Sequence, residues 1–215
     1  MLKKFFVVVL LVCSFVVYGQ EKPDALKRYF NGRTLDAKGR KEDAVNEYNA
    51  AIQICLDELE VTPQNMDAYA VYAWSLYRLK KYADTVSICR QALNIREDAR
   101  IVETMGEALF YLNRFDESLA QMQRYISLAP AGDSVGVAYF FEAEIYRLRK
   151  LYNKAEIAYT AAVFFEPNLS LWWYRLGLMR EILENKAGAI EAFERAIKLA
   201  PNYTDALNGL KRLQN

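Results

Sequence analysis

The C-terminal part of the sequence repeats itself at a spacing of 34 residues. The repeated set is Ala155, Tyr159, Ala162 and Pro167, which recur as Ala189, Phe193, Ala196 and Pro201. In a helix, this spacing places the small and aromatic residues on one face, and the proline then ends the helix. A fixed period of this length is typical of arrays of stacked helix pairs. The sequence therefore predicts an all-α solenoid rather than a compact mixed fold.

Residues 170–203 carry the fullest form of this pattern. The first helix of this unit contributes Trp173, Leu176 and Gly177, and the second contributes the small, aromatic and proline positions named above. Small residues permit two helices to cross closely, while large apolar residues fill the space around the crossing. The pattern resembles the tetratricopeptide repeat (TPR) family, although Arg180 stands where that family usually has an aromatic residue. The resemblance implies a right-handed superhelix.

The same positions recur less regularly toward the N-terminus and predict about five units and a capping helix. The predicted units are residues 25–63, 66–98, 99–132, 136–169 and 170–203, followed by the capping helix at 204–215. In the first unit, the second helix is expected to run about two turns beyond the usual length, to Pro63. In the third unit, Tyr125 is large where alanine is typical, which predicts a splayed or shifted helix pair. Stacked repeats share a continuous core, so we expect one domain.

Residues 1–19 have the three parts of a secretory signal peptide: two lysines, an apolar run and a short-residue end at Gly19. The apolar run, residues 5–17, is shorter than the roughly 20 residues of a membrane-spanning helix. We expect cleavage after Gly19, with a retained anchor and lipidation at Cys13 as alternatives. The sequence is therefore similar to exported bacterial TPR proteins, and a periplasmic location is expected.

The charge balance argues against nucleic acid or an anionic membrane as a partner. The chain has 28 basic and 27 acidic residues and a net charge of +1. Loss of residues 1–19 would remove Lys3 and Lys4 and no acid, which changes the net charge to −1. A near-neutral chain lacks the positive field that attracts polyanions.

The composition also gives little support to catalysis. The chain contains no histidine, which removes Ser-His and Cys-His nucleophile pairs and histidine metal sites. It has no glycine-rich phosphate loop, so we expect no enzyme activity, cofactor or metal. Cys55 and Cys89 lie on second helices of adjacent units. They are expected to be small buried residues, with a disulfide left open as the alternative in an oxidising compartment.

The resemblance to TPR proteins implies a concave surface lined by first-helix residues that binds a protein segment. The positions that correspond to this groove carry aromatic residues and charges of both signs. They are Tyr29, Arg33, Trp74, Tyr77, Glu103, Glu107, Phe110, Phe140, Glu144, Arg147, Tyr174 and Leu178. Among them, Trp74 and Tyr77 are the strongest candidates, because their neighbours already fill the packing positions. Trp172 is instead expected to pack against the preceding unit.

The leading hypothesis is a non-enzymatic adaptor or scaffold in the periplasm that serves an envelope, secretion or motor complex. The alternatives are a receptor for a small apolar or glycan-like ligand and an accessory subunit of an enzyme. The carboxylate clamp used by some TPR proteins is disfavoured, because Glu103 and Glu107 stand where cations are needed and would repel a carboxylate. Peptides with a free acidic C-terminus are not expected to bind.

Overall fold

The computed structural model describes residues 24–214, and within that range it is built from helices without strands. The elements are α1 (Ala25–Ala37), α2 (Lys41–Val61), α3 (Met66–Arg78), α4 (Tyr82–Ile95), α5 (Ala99–Tyr111), α6 (Phe115–Leu128), α7 (Val135–Leu148), α8 (Tyr152–Phe165), α9 (Ser170–Ile182), α10 (Lys186–Leu199) and α11 (Thr204–Gln214). Each helix packs against the next one in the chain. The predicted all-α repeat fold is confirmed.

The first helices of the early units form a continuous inner layer. Contacts join α1 to α3, α3 to α5 and α5 to α7, and the last helix, α11, contacts α9 as well as α10. The second helices lie between successive first helices along the chain. Side chains from three consecutive units can therefore meet on the side of the first helices.

Close helix crossings at glycine hold the pairs together. A Cβ atom on Gly177 of α9 would lie 2.6 Å from the ring of Phe193 on α10. A Cβ on Gly209 of α11 would lie 2.7 Å from the same ring, so the Phe193 ring is held between two glycines. The first unit repeats the arrangement with Gly32 against Tyr48, at 2.6 Å. The sequence predicts that Gly177 permits a close crossing of two helices, and this packing agrees with that prediction.

The tight turns inside the units share one backbone conformation. In the second to fifth units a non-glycine residue after the first helix has φ near +60°, and in the first unit Gly39 has φ +75°. Each such residue allows the chain to reverse into the second helix. The four non-glycine positions are Lys80, Asn113, Lys150 and Glu184. Because the turns are alike, the helix pairs have similar geometry.

Two units depart from the regular pattern: the first has a long second helix, and the third has a large residue, Tyr125, on its second helix. Helix α2 has 21 residues where α4 has 14, which is the extension expected from the sequence. Tyr125 is buried, and its hydroxyl accepts a hydrogen bond of 3.2 Å from the Ser134 backbone N–H. Gly132 makes room for that hydroxyl, since a Cβ there would lie 2.5 Å from it. The loop at 129–134 thus folds over the large side chain.

Cys55 and Cys89 are buried free thiols, so the disulfide alternative is not what the structure contains. Burial raises the pKa of each thiol to about 12, which keeps both protonated at neutral pH. The predicted signal peptide and Cys13 lie outside the described residues. Within residues 24–214, no helix combines the length and apolar character needed to cross a bilayer.

Substitution of Ala196 tests the close-packed crossing. Ala196 is fully buried on α10, so Ala196→Leu should overpack the core and lower the free energy of unfolding by roughly 1–3 kcal/mol. Ala187→Leu, on an exposed position of the same helix, is the control and should change it by less than about 0.5 kcal/mol. Urea denaturation of both variants measures the difference. Equal stability of the two variants would show that the helix register is wrong.

Candidate functional site

A cleft of about 540 Å³ opens between the first helices of the first three units. Its walls come from α1, α3 and α5, and the end of α6 with the 129–134 loop closes one side. The cleft brings together half of the predicted groove residues. These are Tyr29, Arg33, Trp74, Tyr77, Glu103 and Glu107.

One wall of the cleft is aromatic. The rings of Tyr29 and Trp74 lie with centroids 5.5 Å apart and a tilt of 36°. Trp74 is half-buried and packs against the cores of both the first and second units, and Tyr77 follows it on the same helix. Tyr29 is only 7% exposed, because it also packs against Tyr48 on α2. Tyr29 is therefore mostly buried, although it still lines the cleft.

The α1 side of the cleft is basic. The Arg33 guanidinium lies 5.9 Å from the centroids of both Tyr29 and Phe30, which is cation–π geometry. Arg33 is exposed and forms no ion pair with any residue in the described range. Arg78 on α3 also reaches the cleft. Burial alone would lower the pKa of Arg78, but its hydrogen bond and charge interaction with Tyr29 raise it.

The α5 side of the cleft is acidic. Glu103 and Glu107 lie one helical turn apart and project to the same side. Burial raises the pKa of Glu103 well above its usual range, and the like charge of Glu107 raises it further. The Thr104 hydroxyl, which donates to Glu103 at 3.4 Å, and Ser134 oppose this rise. The result is a carboxyl group that holds its proton more tightly than an exposed glutamate.

The acidic pair has no counter-ion within the part of the chain that the structure describes. Arg100 also lines the cleft, but its guanidinium is held by Asp98 at 2.7 Å and Asp67 at 2.8 Å. Among residues 24–214, neither Glu103 nor Glu107 forms an ion pair. Tyr77 interacts with Glu107, and after burial this interaction is the main cause of the raised pKa of the Tyr77 phenol. Partly buried, like-charged groups in a cleft are typical of functional sites.

The remaining groove candidates lie outside this cleft, and several are used for packing. Phe140 stacks on Trp172 with centroids 4.8 Å apart and an angle of 11°. This contact confirms the prediction that Trp172 packs against the preceding unit. Phe110 packs edge-on against Phe141 at 5.0 Å, and Tyr174 contacts Phe193. Leu178 is half-buried against the cores of the last two units. Phe110 and Phe140 thus fill junctions between units, whereas Tyr174 packs inside the fifth unit.

Glu144 and Arg147 were expected in the groove, but they belong to an internal charge network. Glu144 is buried, with 7% exposure, and accepts hydrogen bonds from Tyr159 and from Arg147 at 2.6 Å. Arg175 of the next unit lies 3.2 Å from the same carboxylate. Glu144 is therefore not free to face a ligand, since three neighbouring side chains already satisfy its charge. The network ties α7, α8 and α9 together.

Several residues that line the cleft are not among those predicted from the sequence. Phe30 and Arg78 lie beside predicted positions, whereas Tyr125 lies near the end of α6 and Asp133 and Ser134 lie in the closing loop. A signal for the loop was present in the sequence. The 34-residue period is interrupted at 133–135, next to a tyrosine at a position that usually carries alanine. An insertion next to an unusually large residue indicates that the loop packs over that residue.

Comparison with known proteins agrees with the fold. Residues 170–203 match the sequence profile of the family described as "Tetratricopeptide repeat". The chain also resembles YrrB, described as a TPR protein with an unusual peptide-binding site, with a TM-score of 0.58, 21% identity, and coverage of 89% of this chain and 94% of YrrB. Residues 170–203 are therefore a tetratricopeptide repeat, and the described part of the chain has the all-α repeat fold of tetratricopeptide repeat proteins. No curated protein matches it by sequence.

Other TPR-like structures cover the chain to a similar extent. PilF of Pseudomonas aeruginosa has a TM-score of 0.70 at 15% identity, covering 88% of this chain and 82% of PilF. MamA of Desulfovibrio magneticus RS-1 has a TM-score of 0.63 at 18% identity, covering 85% and 99% of the two chains. At such low identity these likenesses concern the fold.

The raised pKa of Glu103 predicts a specific pH dependence of stability. Above the pKa of an unfolded glutamate, about 4.3, the Glu103 side chain holds more protons in the native state than in the unfolded state. Stability is therefore lost as the pH rises from that value through the folded pKa of Glu103. Glu103→Gln cannot ionise, so this variant should melt at a higher temperature than the wild type near pH 8, with the advantage shrinking toward about pH 4.

The matched control is Glu194→Gln, which removes a charge from an exposed position on α10. Its melting temperature should follow that of the wild type at every pH. Thermal unfolding followed by circular dichroism gives the three curves. If Glu103→Gln also followed the wild type across the range, Glu103 would titrate as an ordinary exposed acid.

Proposed function

We propose that the chain is a non-enzymatic adaptor that holds a segment of a partner protein in the cleft between α1, α3 and α5. The observation that carries this proposal is the composition of the cleft, which joins partly exposed aromatic rings to charges of both signs. Aromatic residues and arginine are enriched in the parts of interfaces that supply most of the binding energy. The cleft contains neither a histidine nor a cysteine, so it lacks the Ser-His and Cys-His pairs of nucleophilic catalysis.

The family and the size of the cleft support a protein segment as the ligand. TPR proteins are protein-interaction scaffolds, and YrrB is described as having a peptide-binding site. A volume of about 540 Å³ accommodates a few side chains of an extended peptide, and the layer of first helices continues beyond the cleft. The same volume lies within the roughly 300–1,000 Å³ of small-ligand pockets. A small-ligand receptor is therefore the second candidate, and the experiment below separates the two.

We also propose that this adaptor acts after export, in the periplasm or an equivalent compartment. The support is the signal-peptide pattern of residues 1–19, with the expected cleavage after Gly19. Envelope, secretion and motor complexes are the assemblies that such an exported scaffold would serve. The intact mass of the protein purified from its own host tests the export step, because removal of residues 1–19 leaves Gln20 at the N-terminus.

The adaptor proposal predicts that truncation of the aromatic wall removes partner binding. The protein is tagged at its C-terminus, crosslinked in its own host and purified, and partners are identified by mass spectrometry. Trp74→Ala/Tyr77→Ala should lose at least about tenfold of the main partner signal, because large interface aromatics contribute 2 kcal/mol or more. Arg33→Glu should also weaken capture. It reverses a charge at an exposed position, so its effect does not depend on the core.

The matched control is Ile157→Ala/Phe164→Ala, which shortens two apolar side chains on α8 that are 68% and 79% exposed. This variant should capture the partner as the wild type does. A partner that is lost with the control but kept with the cleft variants would overturn the adaptor proposal. A soluble, monomeric protein with no captured partner would favour the small-ligand receptor.

A further inference from the structure

We propose that the cleft selects its partner segment through a basic side chain, Lys or Arg, which lies between Trp74 and Tyr77 on α3 and the carboxylates of Glu103 and Glu107 on α5. This inference rests on the proposed adaptor function and specifies the chemistry of the partner. Both faces of the predicted subsite belong to the cleft. A cation placed there would meet aromatic rings on one side and two acids on the other.

The repeat itself shows that the acidic pair lacks partners that it has elsewhere in the chain. Glu107 in the third unit corresponds to Glu144 in the fourth, where the carboxylate is bound by Arg147, Arg175 and Tyr159. At the three corresponding positions around Glu107, the chain has Phe110, Phe141 and Met122. All three polar partners of the carboxylate are thus replaced by apolar side chains. The counter-charge that the fourth unit provides internally is missing from the third.

Because the counter-charge is missing, holding the two acids close together costs free energy in the unbound protein. Burial first, and then repulsion by the charge of Glu107, raise the pKa of Glu103, and a hydrogen bond between the two side chains also favours the protonated form of Glu103. A bound ammonium or guanidinium group would remove this repulsion and form charge-assisted hydrogen bonds with both carboxylates. Tyr77, Thr104, Ser134 and Asp133 also face this end of the cleft, and none of them carries a positive charge.

The aromatic wall suits the same ligand. Cations bind favourably over the faces of tryptophan and tyrosine rings, and partial desolvation strengthens the attraction. Trp74 and Tyr77 lie one turn apart on α3, which packs directly against α5. The long alkyl stem of Lys or Arg can also cover apolar surface while its charged end reaches the acids.

The basic side of the cleft sets the direction of the ligand. Arg33 lies on α1, and Arg78 on α3 hydrogen-bonds to Tyr29 of α1, so both arginines belong to the α1 side of the cleft. These arginines would repel a cation on their own side and attract carbonyl oxygens or an acidic residue of the same segment. The cleft is therefore complementary to a segment whose basic side chain points toward α5.

Peptide arrays test this selectivity with the purified full chain. The probes are acetylated and amidated 12-residue peptides of varied sequence with Lys, Arg, norleucine or Glu at the central position. Wild type should prefer Lys and Arg peptides over matched norleucine peptides by about tenfold and should bind Glu peptides least. Glu103→Gln/Glu107→Gln should lose this preference while it still binds the norleucine peptides. The control Glu60→Gln/Glu194→Gln, which changes two exposed acids, should retain it.

The outcomes separate this inference from the proposed function. If the preference for basic peptides is absent, or is unchanged in Glu103→Gln/Glu107→Gln, the basic subsite is wrong. In that case, binding that is lost in Trp74→Ala/Tyr77→Ala would leave the adaptor proposal intact. If no peptide binds the wild type better than Trp74→Ala/Tyr77→Ala, both proposals are overturned. Glu103→Gln is expected to fold, because it removes a charge that destabilises the native state.

Discussion

The close crossing of two helices at a small residue that faces an aromatic ring is the contact on which the rest of the structure depends. Phe193 between Gly177 and Gly209, and Tyr48 against Gly32, show it at the two ends of the chain. No larger side chain fits at these glycines without movement of the ring or the backbone. The crossing fixes the angle within each pair, and the similar turns repeat it. The first helices are thereby aligned on one side.

Variation within this constant frame creates the site. The frame brings α1, α3 and α5 side by side, and the residues on their shared side are free to differ between units. In the fourth and fifth units that side is occupied by internal contacts, such as the stack of Phe140 on Trp172 and the network around Glu144. In the first three units it remains open as the cleft. The interruption of the period at 133–135 adds the loop that closes one side.

The sequence predicts the fold well because the fold depends on a periodic property. Small, aromatic and proline residues at fixed spacing specify the helix pairs, and even the long α2 follows from the position of Pro63. The site depends on contacts between units, which the period does not describe. The repeat positions predict that Trp74 and Glu103 lie on the same side of the first helices, and both residues line the cleft. The sequence period could not show that Arg147 and Arg175 neutralise Glu144, because these contacts depend on how two neighbouring units pack together.

Site-specific photocrosslinking can show directly whether the partner lies in the cleft between α1, α3 and α5. A photoreactive phenylalanine analogue replaces Arg33 at the exposed edge of the cleft, or Ile157 on the exposed face of α8. The proteins are expressed in their own host and irradiated, and the crosslinked peptides are sequenced. The probe at position 33 should react with one defined partner segment that contains Lys or Arg, and the probe at position 157 should not. A crosslink to that partner from position 157 alone would contradict it.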